Sequence, residues 1–251
     1  MSLPRHIAVI DIGKTNAKVV LIDSTTRQQL AAHGRPNVVL ADGLYPHADV
    51  EGLWTFILDS LRALRAAYGV DGISITTHGA TAALMAGNAL AMPVLDYEHD
   101  GPEETTEDYG RVRPDFAETL SPRLPNGLNL GAQIFWQAQA YPADFARVTA
   151  ILTYPQYWAW RLTGVMASEM TSLGCHTDLW APGQSDFSSM VKARGWAQLF
   201  PPVRKAASVL GSIVPAVAAA TGIAADVPVT CDIHDSNASL LPHLGARAAP
   251  F

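Results

Sequence analysis

The segment "VIDIGKTNAKVVLID", Val9 to Asp23, sets a polar turn between two apolar runs and constrains the chain more than any other stretch. Its Gly-Lys-Thr at 13–15 ends the Walker A phosphate loop, which needs a glycine five positions earlier and a helix after it. Five positions before Gly13 stands Ala8, and the residues after the turn, Lys18-Val19-Val20-Leu21-Ile22, are β-branched and apolar. The unit therefore reads as strand, tight turn, strand. A turn of this kind can still hold phosphate through backbone N–H groups, with Lys14, Thr15 and Asn16 adding side-chain donors. The plainer alternative is a surface hairpin with a polar tip.

The rest of the chain suits a large buried core. Of 251 residues, 49% are hydrophobic and 16% charged, which fits one large domain or two small ones rather than a disordered chain. The net charge of -6 argues against nucleic acid and anionic membrane as partners. Cys175 and Cys231 sit in no CxxC pair, so neither a disulfide framework nor a zinc site is expected. Asp11 interrupts the only apolar run near the start, and no run approaches the ~20 residues of a membrane span. The cytoplasm is the expected location.

Strands are expected over His6–Gly13, Lys18–Asp23 and Gln28–Pro36, then a helix over Asp49–Tyr68 with Leu53, Phe56, Ile57, Leu61 and Leu64 at helical spacing. Ile73 and Ile75 lie on a strand ending at Thr77-His78-Gly79. Three hairpin-connected strands, a crossover helix and a further strand suggest an actin-like, ribonuclease H-like α/β core with a mixed sheet flanked by helices. Residues 100–129 read as loop with a short helix, and Leu130–Tyr141 as a helix. "ILTYP" reads as a strand running into a helix over Gln156–Leu162, stopped by Gly164. "SDFSSMVKARGW" reads as a helix with a Ser-Asp start, and Pro215–Thr221 as a short helix ended by Gly222. Val227–Cys231 reads as a buried strand leading through a polar turn into a helix, and "LGARAAPF" as an end without a closing element.

Chemistry-bearing residues gather at four strand ends or turns: Asp11 to Asn16, Thr76 to Gly79, Asp96 to Asp100, and His234 to Asn237. A hydrolase triad of His78 or His234 with Ser236 and Asp235 lacks the G-x-S-x-G elbow. A metal cluster of Asp232, His234 and His176 matches no ligand spacing. Bland readings exist for each residue: Asp235 as a helix N-cap bonded to the Asn237 or Ala238 N–H, His78 and His234 as hydrogen-bonded turn residues, and 96–100 as a solvated acidic loop.

Taken in order, these segments resemble the amino-terminal domain of the FGGY family of carbohydrate kinases, of the xylulokinase, rhamnulokinase and fuculokinase kind. "DIGKTNAKVVLID" is similar to the family's first phosphate segment, "GISITTHGATAALM" to the strand and turn whose His-Gly meets the sugar, and "MPVLDYEHD" to the segment with an acidic sugar ligand. "LTYPQYWAWRLTG" and "SEMTSLG" resemble the helix and segment that follow, and "PVTCDIHDSNASLL" the region of the catalytic aspartate. There are departures. Lys14 stands where Thr is common. Asp232 stands where Gly is usual, and its carboxylate is expected to disturb the turn or the phosphate path. The acidic sugar ligand is either Asp96 or Glu98.

The resemblance implies ATP-dependent phosphorylation of a sugar, with a ketose favoured, Asp235 as general base and Mg2+ held at Asp11. Gly13, Lys14, Thr15 and Asn16 would hold nucleotide phosphate, and His78, Gly79, Asp96, Glu98 and His234 the sugar. The "HDS" form leans toward deoxy-ketoses such as rhamnulose and fuculose, "THG" toward xylulose-like ketoses. Residues 1–251 would form the sugar-binding, base-carrying lobe, and the family's carboxy-terminal nucleotide lobe would be missing, which makes stand-alone activity doubtful. A homodimer is left open. The rival expectation is a non-catalytic sugar-binding or interaction module made of one kinase lobe.

Overall fold

The computed structural model describes residues 4–244. Its central sheet is built by β1 (His6–Ile12), β2 (Asn16–Asp23), β3 (Gln28–Pro36), β4 (Gly72–Thr77), β5 (Val209–Ser212), β6 (Pro228–Thr230) and β7 (Ile233–His234). The order across it is β5-β6-β4-β1-β2-β3, with β7 also on β4. β1, β2 and β3 form an antiparallel meander, while β4 runs parallel to β1, and β6 and β7 run parallel to β4. The sheet is thus mixed, as the order of strands and crossover helix implied. The first two strands carry an alternating pattern: Ala8, Ile10, Ile12, Ala17, Val19 and Leu21 are all fully buried, with polar or half-buried residues between them.

One face of the sheet is covered by α1 (Val50–Tyr68), α2 (Tyr154–Thr163) and α3 (Pro215–Thr221). Leu53, Ile57, Leu61 and Leu64 of α1 join the strand side chains in one core, as their helical spacing demands. Asp49 caps α1, its carboxylate accepting from the Gly52 N–H at 2.9 Å. Gly164 and Gly222 end their helices in the left-handed region at φ 73°.

A second core lies beyond a small antiparallel sheet of Ala82–Ala86, Ala89–Leu90 and Ala150–Thr153. Alternation divides its side chains between the two cores. Ala83, Met85 and Leu152 face the first, and Leu84 and Ile151 the second, with Phe135 and Trp136 of the Leu130–Ala140 helix. Of this small sheet the sequence reading anticipated only the last strand, in "ILTYP"; Ala82–Ala86 went unread, because a strand almost wholly buried on both faces lacks the apolar–polar alternation.

Two segments depart from expectation. "SDFSSMVKARGW" yields a helix only over Ser189–Ala193, because Ser188 caps it through Val191 and Asp186–Phe187 instead pairs with Trp180–Ala181. The strand expected over Val227–Cys231 forms over Pro228–Thr230 as β6, but the polar turn expected after it carries a further short strand, β7, with a break between the two. The break falls at Asp232, whose φ of 72° lies in the left-handed region that favours glycine. Residues 245–251, most of the segment read as ending without a closing element, lie outside the described residues.

Gln156, fully buried on α2, holds this break in place. Its side-chain amide donates to the Cys231 carbonyl at 2.9 Å and the Asp232 carbonyl at 3.1 Å, while its own oxygen accepts from Thr153. Replacing Gln156 with Leu leaves two carbonyls and the Thr153 hydroxyl without this partner. It should cost about 2–4 kcal/mol by urea denaturation; a loss under about 1 kcal/mol would show that water or backbone shifts replace those bonds.

Candidate active site

The parallel pairing of β1, β4 and β7 brings three strand ends together. Ile12 lies opposite Thr77, and Thr77 opposite His234. The turn Gly13–Asn16, the His78-Gly79 turn and the start of α4 (Asp235–Leu244) therefore open at one edge of the sheet.

The first turn is closed by the Gly13 N–H donating to the Asn16 carbonyl at 2.9 Å. Asn37 buttresses it, its side-chain amide donating to the Gly13 carbonyl and its backbone N–H to the Thr15 carbonyl. Thr15 and Asn16 are exposed. Lys14 is engaged elsewhere: its ammonium pairs with Asp96 and lies 3.2 Å from a Glu98 oxygen and 4.8 Å from the Tyr97 ring centre.

His78 sits across a small pocket from Lys14, with Asn37, Val38, Thr81, Asp96 and Tyr97 among the other walls. Its Nδ1 lies 2.9 Å from the Gly79 carbonyl. Burial pulls its pKa down, so the ring is neutral, Nδ1–H donates and Nε2 offers a lone pair. Asp96 lines this pocket with a side chain 12% exposed, while the Glu98 side chain, 62% exposed, approaches Lys14 from outside.

Asp235 opens its helix at 39% side-chain exposure. Its Oδ1 accepts from the Ser236 N–H at 2.6 Å, not from Asn237 or Ala238 as an N-cap at that position would. Its charge raises the pKa of Asp11, although burial is the larger cause and Lys18 opposes both. The same charge reaches His78, Tyr97 and Cys175. His234 is buried behind it, Nδ1 3.6 Å from Asp235 Oδ1, with its pKa pulled down by burial against the pull of that carboxylate. Gly79 makes room for this ring: a Cβ there would come within 2.0 Å of His234 Nε2.

Two alternatives fall away. Ser236 hydrogen-bonds to Asp235 rather than to a histidine. Among the described residues no three His, Cys, Asp or Glu side chains gather to hold a metal ion, and His176 and His234 meet only edge to face at 6.4 Å. Both cysteines are free. Sequence reasoning missed Asn37, Thr81 and Tyr97. Thr81 and Tyr97 stood in segments already singled out, "GISITTHGATAALM" and "MPVLDYEHD"; Asn37 stood in none.

Asp11, half-buried, and Asp235, partly exposed, thus stand at one end of the mixed sheet, beside the Gly13–Asn16 turn and the small pocket lined by Lys14, His78 and Asp96. Residues 6–242 match the FGGY family of carbohydrate kinases, N-terminal domain, and the chain belongs to that family. It is 25% identical over 243 residues to an L-fuculokinase of Salmonella typhi, covering 93% of this chain and 51% of that protein. A carbohydrate kinase from Novosphingobium aromaticivorans is 43% identical and superposes with a TM-score of 0.90 over 95% of this chain and 50% of its own. A ligand-bound xylulose kinase from Lactobacillus acidophilus shares the fold at 14% identity, TM-score 0.84, over 94% of this chain and 49% of its own. The chain therefore spans about half the length of these relatives. Among the described residues, no helix is long and apolar enough to cross a membrane.

Asp232 points into the sheet. Its Oδ1 accepts from Ser74 at 2.8 Å and Thr230 at 2.6 Å, and burial pushes its pKa up to about 7 despite those bonds. Below about pH 4 this acid is protonated in both folded and unfolded chains. Between there and pH 7 only the folded chain keeps the proton, so stability falls as pH rises and levels off above. The full cost is on the order of 4 kcal/mol. Asp232→Asn should remove this slope, so that its urea midpoint gains on the parent's from pH 5 to pH 8. Parallel pH profiles for the two proteins would show that Asp232 is ionised in the fold at pH 5.

Proposed function

We propose that residues 1–251 are the sugar-binding, base-carrying lobe of an ATP-dependent carbohydrate kinase acting on a ketose. The observation that carries this is the placement of Asp235: it starts a helix beside His78 and within the electrostatic reach of Asp11. The sugar hydroxyl lies against Asp235, whose Oδ1 is fixed by Ser236 and whose Oδ2 takes the proton as the oxygen attacks the γ-phosphorus. The O–P bond to the attacking oxygen forms as the bond to the leaving ADP oxygen breaks. His78 Nε2 accepts from one sugar hydroxyl and Asp96 from another.

ATP and Mg2+ are the cofactors of this reading. The exposed Thr15 and Asn16 of the turn offer donors to phosphate oxygens, while the Gly13 N–H closes the turn. Hard-oxygen donors, not a protein cage, suit Mg2+, which commonly takes one or two carboxylates with phosphate and water. Asp11 meets that requirement, and a neighbouring cation would relieve the mutual repulsion of Asp11 and Asp235. When bound, the ion neutralises phosphate charge. A cytoplasmic location accords with these soluble substrates.

In the complete kinase carrying this lobe, Asp235→Asn should keep sugar affinity and lower turnover about 10²–10⁴-fold. Turnover within tenfold of the parent would leave Asp235 as only the start of a helix.

The rival reading is a sugar-binding module without catalysis. Calorimetric titration of the 251-residue chain addresses the division of labour. It should bind a ketose weakly and ATP hardly at all, because the adenine pocket belongs to the other half of the family's fold. Micromolar ATP affinity would place a complete nucleotide site in these residues.

A further inference from the structure

We propose that Lys14 serves the sugar side of the cleft, neutralising Asp96 and donating to a sugar hydroxyl, so that the pocket takes neutral polyhydroxy substrates and turns away sugar acids. This rests on the kinase reading above and changes the task of one residue in the phosphate turn.

The backbone of that turn and the Lys14 side chain go to different places. Gly13, Thr15 and Asn16 stay at the strand end. The Lys14 side chain reaches 82 residues along the sequence to Asp96, flanked by Glu98 and lying over Tyr97. The Tyr97 ring meets His78 edge-on at 5.3 Å, so lysine, aromatic ring and histidine line one pocket. Burial alone would lower the Lys14 pKa, but the bonds and charges of Asp96 and Glu98 outweigh it and hold the ammonium charged.

An ammonium has three N–H donors. Two point at Asp96 and Glu98, which leaves one for a ligand. The pocket then offers a neutral imidazole acceptor, a carboxylate acceptor and one cationic donor, the set that reads adjacent hydroxyls on a carbon chain. Around the ammonium the charge count is one lysine against two carboxylates, Asp96 in the pocket wall and Glu98 just outside it. A carboxylate on the substrate would meet a net negative wall, as like charges at close range oppose binding.

The test is calorimetric titration of the chain and of Lys14→Met with xylulose, fuculose, gluconate and magnesium tripolyphosphate. For the parent, at least one ketose should bind and gluconate should not. Lys14→Met should weaken that ketose tenfold or more and leave tripolyphosphate within twofold. Asp96→Asn, which frees the ammonium from its nearest partner, should admit gluconate. Ketose affinity within twofold of the parent in Lys14→Met, or a loss confined to tripolyphosphate, overturns the inference alone. A parent that binds neither ketose overturns the kinase reading with it. Thermal melts show whether Lys14→Met is folded; if it is not, Lys14→Thr carries the same comparison.

Discussion

Everything at the candidate site depends on the parallel alignment of β1, β4 and β7. In parallel strands the carboxyl ends fall at the same edge, so a residue just past each strand meets its counterparts however far apart they are in sequence. The register sets this closely, with Ile12, Thr77 and His234 level across the three strands. The alignment is secured from below by burial. Ile10, Ile12, Ile73 and Ile75 are all buried against the helices, and full burial of such a side chain is worth about 1.5–3 kcal/mol. A one-residue slip of any of these strands would put its apolar set on the wrong face, so the core that stabilises the fold also fixes the site.

That coupling explains what the sequence made legible. The turn at 13–16, the helix α1 and the helix ends at Gly164 and Gly222 follow local rules of alternation, spacing and capping. The strand ends followed because polar clusters interrupt apolar runs there. What stayed hidden depends on contacts between distant segments. Nothing near Asn37 announces that it will hold the Gly13–Asn16 turn, and nothing near Lys14 announces a partner 82 residues away. Lys14 stood in a phosphate-like triplet, and the motif suggested phosphate. Its side chain turns to Asp96 instead, and direction at a turn is set by what the rest of the fold places beside it.

The choice between Asp96 and Glu98 was of the same kind. Both are acids in one short polar segment, two residues apart, and their spacing cannot say which faces inward. The backbone does: the Asp96 N–H donates to the Pro46 carbonyl, tying this residue to the neighbouring segment, while Glu98 stays in solvent.

Asp232 shows how a locally unfavourable residue can sit beside a candidate site. A non-glycine residue in the left-handed region costs roughly 1–2 kcal/mol, and a buried carboxyl adds a further cost. Both costs fall on a single break in a strand. The break has a structural use: it separates β6 from β7 while keeping each on the same edge of β4, so the chain can restart its pairing and end level with Thr77. The Asp232 carboxyl is not aimed at Asp235 but is taken up by the Ser74 and Thr230 hydroxyls, and the two backbone carbonyls at the break are taken up by Gln156. The acid that departs from the family pattern therefore acts on the strand behind Asp235, and its effect on chemistry would pass through the position of β7 rather than through its charge at the cleft.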